Sequence, residues 1–387
     1  MRIKPAAAAL TSILAAGLGA GAAAVAAGRY GSRAALRPAP PGPVGFDGPR
    51  LRVIAAAGGQ VTLAPGGQVT LAPGSPPALL PETYGLAGNG VHAVVGPLVR
   101  AESWEGGRLV RTLERVTYGS LDAGTRVRLT PKVYAGTPRS ALGIAYEDVT
   151  VEGPLGPLPA WYVPGTRGTW VIAAHGLGDT REQVLTALPL LHDLGLPVLA
   201  AAHRGDPGAP PPPGGRGALG HAEWPDLDAA LHWAVRHGAR RAVLYGWSTG
   251  ATMALRTAAE SAAAYGIAGL VLDSPVLDWR AAVRALAGRS GGRGRLALPA
   301  PLRGLAVLAT EDHGELDTAL AVPEAPTLVL AGQADDVAPL AAARAFAARG
   351  GDRLLLREVP DGRHAALWNA TPDAYGETLR RFLTPLL

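Results

Sequence analysis

The sequence predicts an α/β protein in which a mostly parallel sheet is covered by helices on both faces, with a smaller β-rich domain ahead of it. Three observations carry this expectation. From about residue 141 apolar runs alternate with helix-period segments, the rhythm of a doubly covered parallel sheet. Between about 51 and 140 the pattern is period-two and punctuated by turn residues, as in short half-buried strands. The third is a G-x-S-x-G motif standing where a strand pattern gives way to a helix pattern.

At 387 residues the chain can bury a substantial core. With no cysteine, disulfides, thiolate zinc sites and a cysteine nucleophile are all excluded. The formal charge of +5 comes from scattered arginines, without a basic run interleaved with aromatics, so nucleic acid is not an expected partner.

Residues 1–33 read as a signal or anchor segment. Arg2 and Lys4 precede an uncharged run from Ala6 to Gly28 that is long enough to span about 30 Å of hydrocarbon. Ala24-Val25-Ala26 resembles a cleavage site, so the expectation is a single membrane span, or a secreted chain if the segment is removed. Arg29, Arg33 and Arg37 balance the N-terminal positives and leave the orientation open. Residues 34–50, with Pro38, Pro40, Pro41 and Pro43, read as an extended linker, because each proline lacks a donor and disfavours helix before it.

In the β-rich domain, 51–140, alternation is clearest over Leu109 to Tyr118 and Arg126 to Leu129, with turn signals at Glu105-Gly106-Gly107 and Asp122-Ala123-Gly124. The octapeptide Gly-Gln-Val-Thr-Leu-Ala-Pro-Gly occurs at 59–66 and again at 67–74. Two copies are too few for a solenoid and read as a local duplication lengthening a hairpin or loop.

In the α/β domain, 141–387, expected strands are Thr169 to Ala174, Pro197 to Ala202, Arg241 to Tyr245, Ala268 to Asp273, Thr327 to Ala331 and Leu354 to Val359. Val184, Leu188 and Leu191 share one helix face, with Pro189 expected to kink or divide that helix. Leu227, Leu231 and Val235 share another, with Pro225 in the first turn and a stop at Gly238. The stretch 276–325 is longer than a crossover requires and reads as a lid, with a mobile piece from Gly288 to Arg295.

In Arg241-Ala-Val-Leu-Tyr-Gly246-Trp247-Ser248-Thr249-Gly250-Ala251 the motif lies between strand and helix, a sharp turn that would present Ser248 as a nucleophile at a helix N-terminus. Serine needs a base, and the base needs an orienting acid. Both follow in the order serine, acid, histidine. Asp335, in the loop after Thr327 to Ala331, is the chosen acid, and His364, in the loop after Leu354 to Val359, the base. Asp336 and Asp273 remain alternative acids. His221, His232 and His237 read as ordinary helix contacts, and the histidine spacing suggests no metal site.

An oxyanion formed at this serine needs two donors. The backbone N–H of Thr249 is one, and that of Leu177, in His175-Gly176-Leu177-Gly178-Asp179, is the other. His175 itself reads as stabilising that loop. The arrangement implies acyl transfer on a small-molecule ester or acyl substrate. No cofactor is implied, because no dinucleotide fingerprint opens the first strand-helix unit.

Further stretches extend the pattern: Leu155 to Pro164, Val171 to Gly178 with Arg181-Glu182, Gly220 to Trp224, Leu272-Asp-Ser-Pro-Val276, and His364 with Trp368-Asn369 and Tyr375. Over roughly residues 80–387 the chain resembles bacterial α/β-hydrolase-fold serine hydrolases, similar to esterases and serine aminopeptidases, with an N-terminal anchor and a β-rich region. The resemblance implies the same Ser248, Asp335 and His364 and leaves ester cleavage, peptide cleavage and acyl transfer open. A departure is Thr249-Gly250-Ala251, where such proteins often carry Met and two glycines. The rival reading is a membrane-tethered binding or scaffold protein that keeps the fold without turnover. Oligomeric state is not readable from the sequence.

Overall fold

The computed structural model describes residues 5–37, 42–46, 50–57, 59–65, 79–101, 108–289, 297–310 and 313–387, except the side chains of 5–20, 57, 61–65, 100–101 and 313. The second octapeptide, the Glu105-Gly106-Gly107 turn and most of the Gly/Arg-rich piece fall outside these residues.

The β-rich region closes into an antiparallel barrel. Strands β1 (Leu51–Ala57), β2 (Gln60–Pro65), β3 (Tyr84–Gly88), β4 (Val91–Ala101), β5 (Leu109–Tyr118) and β6 (Arg126–Thr130) follow the order β1-β2-β5-β4-β3-β6. Alternation decides what faces in: Leu86, Ala93, Val95, Leu109, Val127 and Leu129 form the interior. Arg111, on the same strand face as Leu109, is fully buried as well. Its guanidinium donates to the carbonyls of Gly96 (3.0 Å), Leu80 (2.5 Å) and Glu82. A buried cation is tolerated here because its donors are taken by backbone oxygens, although burial lowers the guanidinium pKa to about 10.

The second unit is an eight-stranded sheet: β7 (Glu147–Gly153), β8 (Gly156–Val163), β9 (Thr169–Ala174), β10 (Val198–Ala201), β11 (Arg241–Trp247), β12 (Ile267–Asp273), β13 (Thr327–Gly332) and β14 (Leu354–Val359), in the order β14-β13-β12-β11-β9-β10-β8-β7. From β10 to β14 the pairing is parallel, while β7 and β8 form an antiparallel edge. The expected strands agree with the observed ones to within two residues. The β7–β8 hairpin was not anticipated. β9 and β11 run parallel, but successive strands are added on opposite sides of β9, β10 on one and β11 on the other, so the loops after β9 and β11 diverge at the carboxyl edge and leave a crevice there.

Helices cover both faces of the sheet. Pro189 divides the first expected helix into a 3₁₀ segment, Arg181–Thr186, and an α-helix, Leu188–Asp193. On the helix Trp224–Arg236 the buried face is Leu227, Leu231 and Ala234, and Val235 is 43% exposed instead. The spacing from Leu231 to Ala234 is three residues, which keeps the stripe over the sheet, whereas Val235 lies a further 100° round.

The N-terminal helix spans Pro5–Leu36. Among the described residues no helix is long and apolar enough to cross a membrane, so the expected anchor is not supported. The described half packs instead on the 276–325 excursion, whose helices include Trp279–Ala287 and Arg303–Leu308. Small residues permit this approach: a Cβ on Gly31 would lie 2.4 Å from Leu298 Cδ1. The helix continues past residue 34, with Ala34, Ala35 and Leu36 buried, and Val44 and Phe46 are buried beyond it. Part of the stretch expected as linker is therefore folded onto the α/β unit.

Candidate active site

β11 ends at Trp247, and the helix Thr249–Glu260 begins two residues later. Ser248 makes the turn between them at φ 52°, ψ −116°, outside the usual regions for a residue with a Cβ. The turn closes only because its flanks are glycine. A Cβ on Gly246 would sit 2.3 Å from Gly250 O, and one on Gly250 would sit 2.1 Å from Ala174 O.

The geometry brings together three of the residues singled out in the sequence. Ser248 Oγ lies 2.7 Å from His364 Nε2, and His364 Nδ1 lies 2.8 Å from Asp335 Oδ2. The other carboxylate oxygen of Asp335 accepts from the amides of Val337 (2.9 Å) and Ala338 (2.8 Å). Asp335 is thereby fixed in the orientation that meets the imidazole. Ser248 and His364 are 1% and 2% exposed, which excludes bulk water from the bonds between them.

The two alternative acids go elsewhere. Asp336 points outward, its side chain 69% exposed, and pairs with Arg289 at 2.6 Å. Asp273 lies buried beneath the histidine loop, accepting from Tyr375 Oη (2.8 Å) and Ser274 Oγ (2.9 Å). Ser274 Oγ in turn accepts from Ala365 N–H at 3.0 Å, one residue past His364. Tyr375 is also hydrogen-bonded to Tyr245. This network steadies the histidine loop from below. In the sequence Asp273 stands as an alternative acid while Ser274 and Tyr375 stand only within the shared stretches, and no local pattern indicates that the three meet.

Burial pushes the Asp273 carboxyl up to about 6, against the opposing effect of the Tyr375 and Ser274 donors. The folded state then holds this proton more tightly than the unfolded chain, whose carboxyl titrates near 4. Its contribution to stability is complete below about pH 4 and is lost as pH rises through about 6, a change on the order of 3 kcal/mol. Asp273→Asn is expected to flatten the stability profile over that window, read as urea midpoints at pH 4.5 and 7.5. An equal slope in both proteins would show that the carboxyl ionises as it does in water.

Leu177 and Thr249 face one cavity of about 60 Å³ at the carboxyl edge. Among the described residues neither amide has an acceptor, and both remain free to donate. The loop carrying Leu177 is braced on two sides. Gln183 Oε1 accepts from Gly176 N–H at 2.8 Å, and Lys132, at the end of the barrel, pairs with Asp179 (2.6 Å) and Glu182 (3.1 Å). Lys132 escaped the sequence reading because its partners lie nearly 50 residues away.

His175 turns its ring inward, with Nδ1 3.0 Å from Gly176 O and Nε2 2.6 Å from Asp206 Oδ2. Burial disfavours its cation, but the Asp206 carboxylate outweighs this and raises the His175 pKa. With His203 these residues form the one group, among the described residues, whose distances could suit a metal ion. The two rings stack at 4.2 Å with planes 19° apart, so their in-plane lone pairs run side by side and do not converge on one ion. His221, His232 and His237 take no part in the site. His221 is buried near the start of the helix Trp224–Arg236, His232 lies 3.7 Å from Asp228, and His237 stacks on Trp233.

Residues 52–130 match a domain of unknown function, DUF8805, which corresponds to the barrel. No curated protein matches the chain. Among solved structures it is similar to the Pyrococcus furiosus esterase Pf2001, at 21% identity and a TM-score of 0.52, covering 65% of this chain and 96% of that one. A second crystal form of the same esterase gives 21% identity and a TM-score of 0.51, covering 65% and 95%. The likeness establishes the α/β-hydrolase fold for the larger unit.

Proposed function

We propose that this chain is a serine hydrolase that cleaves an ester bond through an acyl-enzyme. The observation that carries the proposal is the unbroken relay from Ser248 Oγ through His364 to Asp335, with bonds of 2.7 and 2.8 Å. With Nδ1–H of His364 donating to Asp335, Nε2 is left as the acceptor facing the hydroxyl, the tautomer a general base requires.

In this mechanism His364 Nε2 takes the Ser248 proton as Oγ attacks the ester carbonyl. The oxyanion is met by the N–H groups of Leu177 and Thr249, whose alignment costs no reorganisation as charge develops. Collapse of the intermediate expels the alcohol, which receives the proton from His364. Water then attacks the acyl-enzyme, giving its proton to His364, and Ser248 leaves with that proton restored as the acid is released. Every group is the chain's own, so the step needs no cofactor. The presence of esterases among the structures of this fold agrees with the reading.

Treatment with a fluorophosphonate, followed by peptide mass mapping, tests it. One phosphonyl group per chain is expected on the peptide containing Ser248. Modification at another serine, or none, would remove the basis for the assignment.

A further inference from the structure

We propose that Lys132, at the rim of the barrel, is a positioning residue for the reaction: it holds the turn that aims the Leu177 N–H at the oxyanion, and so gives the barrel a part in turnover. The proposal rests on the serine-hydrolase reading above. Lys132 touches no reacting atom and acts through the turn 176–179.

This turn is closed by Asp179 N–H, which donates to Gly176 O at 3.2 Å, and Gly178 takes φ 77°, the left-handed angle needed at the third position of a type II turn. Leu177 stands between these residues, so the direction of its N–H follows from where the two ends are held. Gly176 is held by Gln183 Oε1, and lies so close to the nucleophile that a Cβ on it would be 2.7 Å from Ser248 Cβ. Gly178 O accepts from Gly42 N–H at 2.8 Å. The far end is held through the Asp179 carboxylate. Its Oδ1 accepts from Thr180 N–H at 2.7 Å, a bond within the loop, and pairs with Lys132 Nζ at 2.6 Å, a bond that ties the loop to the barrel.

Lys132 is itself fixed. Its carbonyl accepts from His92 Nε2 at 2.9 Å, which leaves His92 Nδ1 to accept from Thr117 Oγ1 at 3.0 Å. A Cβ on Gly85 would lie 2.0 Å from the same carbonyl, so glycine is required for the barrel to close against it. One residue earlier, Pro131 O accepts from Asn369 Nδ2 at 2.9 Å. From this frame the ammonium also reaches Glu182 at 3.1 Å, whose other oxygen accepts from Gly136 N–H at 3.1 Å. Burial disfavours the Lys132 cation, but the Asp179 and Glu182 carboxylates outweigh this and raise its pKa, so the pair stays charged.

The test measures kcat and KM of the full-length protein for p-nitrophenyl acetate, the inhibition constant of a trifluoromethyl ketone, and the thermal midpoint. Ser248 Oγ bonds to the ketone carbon, its proton passes to His364 Nε2 and the carbonyl oxygen becomes an oxyanion, so the affinity reads the donors directly. Lys132→Met is expected to lower kcat about 100-fold, the cost of losing one oxyanion donor, with KM within about twofold and the ketone weakened by a similar factor. Lys132→Arg keeps a cation between the two carboxylates and should recover at least about tenfold of that loss. Lys132→Met also strands the buried Asp179 carboxylate, which lowers the thermal midpoint. The double variant Lys132→Met/Asp179→Asn removes that charge and should regain the midpoint, yet keep the losses in kcat and ketone affinity, because the tie to the barrel is gone. A double variant with kcat within about threefold of the parent, or one whose kcat falls while ketone affinity holds, overturns this proposal alone. Turnover that persists at the parent level in Ser248→Ala overturns the hydrolase reading and this one with it.

Discussion

Replacing Ser248 with alanine is expected to lower kcat/KM for an activated ester by about 10⁴–10⁶-fold while leaving the thermal midpoint nearly unchanged. In the proposed reaction the attack is made through this hydroxyl, which is the group hydrogen-bonded to His364 Nε2 among the described residues. What survives is the contribution of binding and of the Leu177 and Thr249 amides, which act on any attacking water without help from residue 248. Stability should hold because alanine keeps the Cβ that already occupies the strained turn at φ 52°. Steady-state kinetics alongside thermal denaturation separates the two effects. A loss of less than about 100-fold in a folded variant would mean that another group does the chemistry.

Asp335→Asn should cost about 10⁴-fold in kcat. An asparagine can still accept from the Val337 and Ala338 amides with its oxygen, but it then turns an NH₂ toward His364 Nδ1. The imidazole answers by becoming the acceptor on that side, which moves its proton to Nε2 and leaves Ser248 without a base. Asp336→Asn should change kcat by no more than about twofold, since its carboxylate is solvated and pairs with Arg289. Measured side by side, the two variants decide between adjacent acids that the sequence left open. Equal losses in both would return the choice to Asp273 or to the loop as a whole.

Much of this arrangement was legible beforehand because it is encoded in short windows. The six apolar runs of the sheet, the Gly246 to Gly250 turn and the order of Ser248, Asp335 and His364 all depend on residues close in sequence or on a fold-wide order. The parts that were missed depend on distant partners. The run from Ala6 to Gly28 has the composition of a bilayer span, yet alanine and glycine also suit a helix packed closely on another helix, and the packing of Gly28 and Gly31 on Leu305 and Leu298 depends on partners about 270 residues away. The alternation of β5 places Arg111 on the inward face, but the three carbonyls that receive its guanidinium lie 15 to 31 residues away and leave no mark in the strand's own pattern. The Asp273, Ser274 and Tyr375 network joins residues about 100 apart, so its members were visible singly and their meeting was not.

The barrel touches both loops on which the proposed chemistry depends. Lys132 grips Asp179 and Glu182 beside Leu177. Ala366, two residues past His364, belongs to the barrel's own interior cluster, and Asn369 donates to the carbonyls of Thr83 and Pro131. An exchange of this barrel for an unrelated module would therefore have to reproduce a cation, an apolar socket and two carbonyls at matching positions. A substitution at Lys132 therefore acts on the Leu177 loop, and one at Asn369 on the barrel rim, across the seam between the two units.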